Sequence, residues 1–474
     1  MNEKAISRRE FLSVGTNVAV ASLFLGHEVI AADTENSLPV TIFCRQLWDG
    51  DGKRIQDAAI TIKGEYIVAV GSRKDLAANK NCQFIELACA TILPGFIDMH
   101  VHLSNEPWFG QKLLVNGITS VRDTGNNAVE IIKLRQKQEN GDWPGPRIFT
   151  YGPLLDAIPP FWPHIGVGFA KEEDVKPVID DLVNMGVDGF KTYSKAPPWL
   201  VKSIVEYAHK KDKQVTCHLV QTTATEALNF NIGCIEHIVS LKNDLVEAEK
   251  GWVLDKDSSK ISKLIKLFLK KKSYLTPTLA VMEAMQHWWG LRFNQFPGYN
   301  EYPPYLRNWL KQVLAAPRNS DNWDSSQIAN ACQAFRNQQV IAGLFYSAGI
   351  PLLAGSDSPC VPVGAGFHYE LELLAQSGIP NDYVLKMATR FGAQYLKIDH
   401  KVGMLKPGMV ADIVAVDGDP LEDIRATRKV QALWIEGKAV DLAQLRFDAE
   451  AACKQAPARY PYDTPPFGIP KSKK

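Results

Sequence analysis

A His-x-His pair ends a short aliphatic run near residue 100. The run reads LPGFIDMHVHL over residues 93–103, and its aliphatic density predicts a strand buried on both faces. Alternate side chains of a strand share a face, so His100 and His102 would project together, about 7 Å apart, with Asp98 behind them. Two imidazoles so placed can hold one metal ion. The alternative is a pair of core histidines, each of which needs a buried polar partner.

Four later apolar runs carry further groups that can bind a metal: Lys191, His218, His237 and Asp357. A lysine in a buried strand is costly unless it is paired or chemically used. The alternatives are a lysine that reaches solvent or a carboxylate, a structural role for each histidine, and a helix N-cap for the aspartate. Imidazole and carboxylate groups together suit zinc, and also manganese, iron, cobalt or nickel.

The segment at residues 94–102 resembles the PGxxDxHxH signature of the amidohydrolase superfamily, in its imidazolonepropionase-like and prolidase-like branch. The resemblance implies a metal-dependent hydrolase on a (β/α)₈ TIM barrel. It also implies that His100, His102, His218 and His237 bind metal. Asp357 would bind metal and take a proton from the attacking water.

The same resemblance implies a role for Lys191. Several subgroups carry a carboxylated lysine at this place, where it bridges two metal ions, so two zinc ions per chain are predicted. His100 and His102 would hold one ion with Asp357, and His218 and His237 the other. The alternative is a single ion, with unmodified Lys191 as a hydrogen-bond donor.

The elements that must position these groups alternate between strand and helix signals, which favours a parallel sheet. Eight strand candidates fit a closed barrel, in which polar residues gather at the carboxyl ends of the strands. They are 92–102, 118–123, 147–151, 189–193, 214–218, 234–238, 273–279 and 351–357.

Short strands with turns flank the barrel on both sides. Residues 33–92 and 405–445 form the two parts of a predicted β-sandwich domain, and residues 93–404 form the barrel between them. The hairpin signal KGE at 63–65 lies in the first part. The segment LKPGMVADIVAVDGDPL, which begins at residue 405, resembles the part that closes the sandwich in this superfamily. The fold class is therefore α/β, and residues 446–474 are a predicted C-terminal extension.

Residues 1–32 predict a signal peptide rather than part of the fold. The segment SRREFL at 7–12 resembles the twin-arginine motif, and VIA at 29–31 has the small residues of a cleavage site. The alternative is a chance Arg-Arg before an amphipathic helix. The mature protein is expected in the periplasm or outside the cell, with the twin-arginine export machinery as a partner.

Composition gives no support for several classes of partner. The net charge of +1 gives no support for nucleic-acid binding, and no apolar run suggests a membrane span in the mature form. The eight cysteines form no CxxC pair. Cys217 and Cys234 lie in apolar runs and are predicted to be buried free thiols, while any pairing of the others stays open.

Residues for substrate binding are predicted at four positions. Arg122 would bind a substrate carboxylate or pair with an aspartate, and Tyr193 would donate to the oxyanion or pack in the core. His164 and His368 would face the pocket or be partly buried polar groups. The aromatic-rich stretch 279–339 would form a lid over an apolar substrate, or a subunit interface in a homo-oligomer.

These features predict an amidohydrolase that uses a metal-activated hydroxide to hydrolyse a carbon–nitrogen bond of a small molecule, in an amide, dipeptide or cyclic amide. A lactonase or other esterase on the same site is the nearest alternative. A non-catalytic exported binding protein is the alternative outside the enzymes.

Overall fold

The computed structural model describes residues 38–77, 81–246, 259–289, 299–310 and 325–455. Its strands are β1 (Val40–Trp48), β2 (Arg54–Lys63), β3 (Tyr66–Ser72), β4 (Gln83–Pro94), β5 (Phe96–Val101), β6 (Ile118–Asp123), β7 (Arg147–Thr150), β8 (Leu154–Ala157), β9 (Gly166–Phe169), β10 (Gly189–Thr192), β11 (Gln214–Cys217), β12 (Cys234–Glu236), β13 (Tyr274–Thr276), β14 (Ile413–Asp417), β15 (Val430–Ile435) and β16 (Lys438–Ala439).

Helices follow most of the strands from β5 to β13. Their bounds are Arg73–Leu76, Pro107–Val115, Ala128–Asn140, Val175–Met185, Pro198–His209, Ala224–Asn229, Lys242–Leu245, Ser259–Lys271, Leu279–Trp289, Pro304–Leu310, Ser325–Ser347, Ala365–Gln376, Asn381–Met387, Arg390–Tyr395 and Leu442–Gln455. Short 3₁₀ turns lie at Glu172–Asp174, Ile238–Leu241, Tyr299–Glu301 and Ile424–Arg428. In the part of the chain that the structure describes, no helix has both the length and the apolar character that crossing a membrane requires.

Two chain segments that are far apart in sequence build one seven-stranded sheet, in the order β16-β15-β14-β4-β1-β2-β3. The hairpin predicted around residues 63–65 is confirmed by antiparallel pairing of β2 with β3. Gly64 supplies the positive φ, +57°, that its turn requires. In the segment that begins at residue 405, regular pairing with β4 starts at Ile413, and the residues before it border β3, where Gly408 N donates to Ile67 O.

The remaining strands give a TIM-barrel-like α/β fold. Strands β5, β6 and β7 pair in parallel, and a six-stranded sheet runs in the order β13-β12-β11-β10-β8-β9. His100, His218 and His237 lie at or directly after the carboxyl ends of β5, β11 and β12. Strands β8 and β9 were not predicted, and they lie within the connection between β7 and the helix Val175–Met185.

The predicted start of the first barrel strand, at residue 92, is wrong. Residues up to Pro94 belong to β4 in the seven-stranded sheet, and the barrel strand β5 begins at Phe96. Gly95 lies at the junction, where a Cβ atom would come within 2.3 Å of Thr119 Oγ1. The absence of a side chain therefore lets the chain pass from one sheet to the other against β6.

The predicted eighth strand, 351–357, is an extended segment and not a regular strand. Leu353 N donates to Leu275 O on one side, and Met99 N donates to Ala354 O on the other. Only an isolated bridge links Leu352 to β13. The segment departs from regular pairing because its later residues turn towards β5, where Asp357 N donates to His100 O.

The aromatic insertion 279–339 lies partly within the described residues. Two of its described aromatics contact other parts of the chain: Trp108 Nε1, in the helix Pro107–Val115, donates to Tyr305 Oη at 3.2 Å, and Tyr302 Oη donates to Pro359 O at 3.1 Å. Positions 290–298 and 311–324 lie outside the described residues, as do the signal peptide predicted at 1–32 and the tail from 456. All eight cysteines are free, and the prediction that Cys217 and Cys234 are buried thiols is confirmed.

Candidate metal centre

Three donor groups converge at the mouth of the barrel, two from strand ends and one from the extended segment 351–357. One ligand atom from each of His100, His237 and Asp357 lies within 4.8 Å of the others, and all three residues are buried. Asp357 Oδ1 lies 3.4 Å from His100 Nε2, and its Oδ2 lies 3.8 Å from His237 Nδ1. These nitrogen–oxygen separations leave room for a cation that both the imidazoles and the carboxylate could bind.

His102 completes one side of this cluster. Its Nδ1 lies 2.8 Å from the carbonyl oxygen of Gly125, which can only accept a hydrogen bond, so the ring proton lies on Nδ1. In the neutral ring, Nε2 then carries a lone pair, and this atom lies 3.3 Å from Asp357 Oδ1. A lone pair and a carboxylate oxygen repel each other at this distance, and a bound cation between them would remove the repulsion.

Lys191 lies beneath the same cluster and is fully buried. Its Nζ lies 3.1 Å from His100 Nε2. Within the described ranges, no carboxylate oxygen forms an ion pair with this lysine, and it does not reach solvent. Burial lowers the pKa of Lys191, although the nearby Glu236 and Asp357 oppose that shift. The amine is thus closer to its neutral, nucleophilic form than an exposed lysine is.

His218 follows β11 on the other side of the cluster. Its ring centroid lies 4.6 Å from that of His237 and 4.8 Å from that of Tyr193. Its buried Nδ1 has no hydrogen-bond partner among the described residues. A buried nitrogen without a partner is costly, and this one lies beside another candidate ligand. The structure therefore brings together the six predicted metal-binding residues, namely His100, His102, Lys191, His218, His237 and Asp357.

Electrostatics at the cluster favour neutral imidazoles, which is the form that binds metal. Burial lowers the pKa of His218 to about 3. Burial, followed by the charge of Lys191, lowers the pKa of His100 well below its ordinary value. Burial likewise lowers the pKa of His237, with His100 as the next cause. The three rings therefore need no deprotonation at neutral pH before they can bind a cation.

Three residues around the cluster have backbone angles that are uncommon for their types. His237, Thr278 and Asp357 have φ values of +62°, +49° and +63°. A β-branched threonine in this region is a particular outlier, and such strain concentrates at functional sites. Thr278 Oγ1 lies 2.8 Å from His237 Nδ1, so the strained threonine also orients the histidine ring.

A second layer of buried polar groups supports the cluster, and the sequence did not predict it. Glu236 lies between His100 and Arg122, with contacts of 2.7 and 2.6 Å. Burial alone would raise the pKa of Glu236, but Arg122 and Lys191 hold it below the usual value. His237 and Glu236 are neighbours in the chain, and alternation predicts opposite directions for them. The positive φ at His237 breaks that alternation and lets both face inward.

Asp98, the acidic residue of the signature, supports the strand end rather than joining the cluster. It accepts hydrogen bonds from His100 N at 3.1 Å, Ser356 N at 2.9 Å and Ser356 Oγ at 2.6 Å. Burial raises the pKa of Asp98 to about 7, against the effect of these bonds. The carboxyl group thus ties β5 to the extended segment that carries Asp357.

The predicted substrate-binding residues are separated in the structure. Tyr193 faces the cluster beside His218, and its hydroxyl accepts a hydrogen bond from Trp162 Nε1 at 3.0 Å. Arg122 lies behind His100, where its Nε donates to Met99 O at 2.6 Å.

The two predicted pocket histidines lie elsewhere. His164 is exposed on the loop between β8 and β9. His368 is buried in the helix Ala365–Gln376, with ring nitrogens 3.0 Å from Thr427 Oγ1 and from Asn116 O.

Comparison with known proteins agrees with this architecture. Three solved structures of the same fold are an Xaa-Pro dipeptidase (19% identity, TM-score 0.63, covering 85% of this chain and 99% of that one), an A. niger ochratoxinase (18%, 0.63, 85% and 96%) and the bottromycin amidohydrolase AH (19%, 0.67, 87% and 89%). At these identities the likeness shows the fold alone. A curated adenine deaminase of Listeria monocytogenes is 34% identical over 91 residues, which are 18% of this chain and 13% of the deaminase.

The fold and the buried histidine–carboxylate cluster define a TIM-barrel-like protein with a candidate metal centre. Residues 91–440 match the family described as "Amidohydrolase family", and the chain belongs to that family. Its members generally use divalent metal ions, and the convergence of His100, His237 and Asp357 fits such an ion.

Proposed function

We propose that the protein is a metal-dependent amidohydrolase that hydrolyses a carbon–nitrogen bond in an amide, dipeptide or cyclic amide. The observation that carries the proposal is the buried convergence of His100, His237 and Asp357 within 4.8 Å, with His102 and Lys191 beside them. A bound divalent ion would supply a Lewis acid for the scissile carbonyl and lower the pKa of water towards about 7.

Asp357 is the general base in this proposal. Its Oδ1 lies 3.4 Å from His100 Nε2 and 3.3 Å from His102 Nε2, beside the nitrogens that would hold the metal ion. It would then return the proton to the leaving nitrogen. Asp357 has a positive φ, and its carboxylate lies beside the rings of His100 and His102.

We further propose two zinc ions, bridged by carboxylated Lys191. Support comes from its complete burial, its lowered pKa and the absence of a carboxylate partner among the described residues. A neutral amine adds to carbon dioxide and releases one proton to solvent to give an anionic carbamate, and two cations would hold that carbamate in place. In this proposal, His100 and His102 would hold one ion with Asp357, His218 and His237 would hold the other, and Lys191 is the sixth donor. Manganese, iron, cobalt or nickel would suit the same donors.

Tyr193 is the proposed oxyanion donor. Its hydroxyl oxygen accepts from Trp162, which leaves its own proton free for a substrate oxygen. Burial raises the pKa of Tyr193, so the phenol keeps that proton at neutral pH. The ring of Phe161 lies 5.9 Å from that of Tyr193 and supplies an apolar wall, which favours a substrate with an apolar or aromatic side chain.

Export by the twin-arginine route belongs to the same proposal, with the mature enzyme in the periplasm or outside the cell. The route carries folded proteins, so the metal would be bound before export. An Arg8→Lys, Arg9→Lys double variant should stay in the cytoplasm, where immunoblots of cell fractions would detect it. Periplasmic levels equal to those of the wild type would contradict this part.

The substrate class can be tested with purified zinc-loaded protein. A panel of N-acyl amino acids and dipeptides should contain substrates, and esters and lactones of the same acyl groups serve as the comparison. Faster turnover of the esters or lactones would replace the amidohydrolase by an esterase on the same site. Binding of panel members without turnover by the fully metallated protein would favour the non-catalytic binding protein.

A further inference from the structure

The carboxyl group of Glu236 lies directly behind the candidate metal centre and is fully buried. Three donors from three other strands meet it. Its Oε2 lies 2.7 Å from His100 Nδ1, its Oε1 lies 2.6 Å from Arg122 Nη2, and the hydroxyl of Thr216 donates to the same Oε1. Its position on β12 thus ties β5, β6 and β11 together beneath the cluster.

A neutral imidazole carries one proton, on Nδ1 or on Nε2. A carboxylate beside Nδ1 of His100 keeps the proton on that atom and leaves the lone pair on Nε2. Nε2 is the nitrogen that faces the cluster, 3.1 Å from Lys191 Nζ and 3.4 Å from Asp357 Oδ1. We infer that Glu236, held by Arg122, is a positioning residue that fixes the metal-binding tautomer and orientation of His100.

Arg122 is built to hold this carboxylate rather than a substrate. Besides Glu236, its Nε donates to Met99 O at 2.6 Å, and the guanidinium carbon lies 5.2 and 5.0 Å from the ring centroids of Tyr151 and Tyr395. The guanidinium is thus immobilised behind His100. The hydrogen bond from Arg122 to Oε1 orients the carboxyl group so that Oε2 faces His100 Nδ1.

A purely structural ion pair is the competing explanation. Breaking a buried pair destabilises a protein whether or not it serves a metal site. The two explanations differ in zinc affinity, since a structural role changes the free energy of unfolding but leaves the zinc affinity of the folded protein unchanged. The inference rests on the proposed function, because it requires that His100 binds a metal.

The first variant is Glu236→Gln. An amide has one acceptor oxygen and one N–H donor group, so the N–H group must face either Arg122 or His100. If the N–H group faces His100, Nδ1 must accept from it, which moves the ring proton to Nε2 and blocks metal binding. Loss of such a partner lowers metal affinity about 10–100-fold. We expect that fall in zinc affinity, measured on the folded protein by competition with a chromophoric chelator.

Asp412→Asn is the matched control. Asp412 is also a buried carboxylate that holds an arginine, with Arg147 Nη1 at 2.9 Å, and it lies at the opposite ends of the barrel strands. This variant should lose stability to heat or urea and keep the zinc affinity of the wild type. The control therefore separates the loss of a buried ion pair from an effect on the metal centre.

Two double variants test the inference even if Glu236→Gln alone does not fold. Arg122→Met with Glu236→Gln removes the charges but keeps an acceptor that can turn to His100. Arg122→Met with Glu236→Leu removes both the charges and the acceptor, and uncharged replacement of a buried pair is generally tolerated. We expect the glutamine form to bind zinc at least about 10-fold more tightly than the leucine form.

The outcomes separate the inference from the proposed function. Equal zinc affinity in the two double variants, or wild-type affinity in Glu236→Gln, would overturn the positioning role of Glu236 while the metal centre stands. Wild-type protein that binds no zinc in the same assay would overturn the proposed function, and the inference would fall with it.

Discussion

Replacing Asp357 with asparagine removes a base while preserving its shape. The carboxylate lies 3.4 and 3.3 Å from the Nε2 atoms of His100 and His102. Asparagine tolerates the left-handed region as aspartate does, so the φ of +63° at this position should persist. The amide oxygen can still face the cluster, but it cannot accept a proton at neutral pH.

The expected loss follows from the role of a general base. Such groups contribute about 10²–10⁴-fold to the rate, which corresponds to about 2.7–5.4 kcal/mol at 1.36 kcal/mol per factor of ten. Metal content should fall much less, because His100, His237 and the other nitrogen donors remain. The loss should therefore appear mainly in kcat.

Steady-state kinetics on the best substrate of the panel, with metal content measured on the same samples, would test this prediction. Asp412→Asn controls for the general effect of converting a buried carboxylate into an amide. Turnover within about threefold of wild type at full metal content would refute the base assignment, since general bases contribute at least about 10²-fold. Asp357 would then have only a structural role at the end of the segment 351–357.

Three further predictions concern other parts of the molecule. Elemental analysis of purified Lys191→Ala should find fewer than the two zinc ions per chain expected for the wild type. Short carboxylates should partly restore the activity of this variant. An unchanged zinc content would contradict the proposal that Lys191 bridges two ions. In metal-free protein, the pKa of His218 is lowered to about 3 in the folded state. Between pH 6.5 and about 3 the unfolded state therefore binds a proton at His218 that the folded state does not bind, so the free energy of unfolding falls as the pH drops. His218→Asn should reduce the loss between pH 7 and 5 by about 2 kcal/mol in urea titrations, and an identical loss would refute the shift. Gly95→Ala should lower the free energy of unfolding by about 1–3 kcal/mol in the same titrations, because the new Cβ atom would lie 2.3 Å from Thr119 Oγ1. Unchanged stability would show that β6 can shift to make room for this atom.

The sequence was most informative where a group ends an apolar strand. His100 and His102 share a face because of strand alternation, and His218 and Asp357 follow apolar runs at the mouth of a barrel. Glu236 was out of reach because alternation places it opposite His237. Only the backbone angle of +62° at His237 turns both residues inward, and periodicity carries no signal for such an angle.

Partners across the barrel were also out of reach of the sequence. Arg122 was a candidate for substrate because it ends a strand, yet it pairs with Glu236, which is distant in sequence. His368 lies early in a helix after the last barrel segment, and packing against Thr427 and Asn116 accounts for both ring nitrogens. The boundary at Gly95 was missed because an unbroken apolar run crosses from one sheet to the next.

The most direct test compares metal content with turnover in one titration. Wild-type protein should lose activity in proportion to the zinc that a chelator removes and regain it when zinc is added back. A folded His100→Ala, His102→Ala variant should bind less zinc and remain inactive at every zinc concentration. Full activity in metal-free wild type, or in this double variant, would contradict a metal-dependent hydrolase.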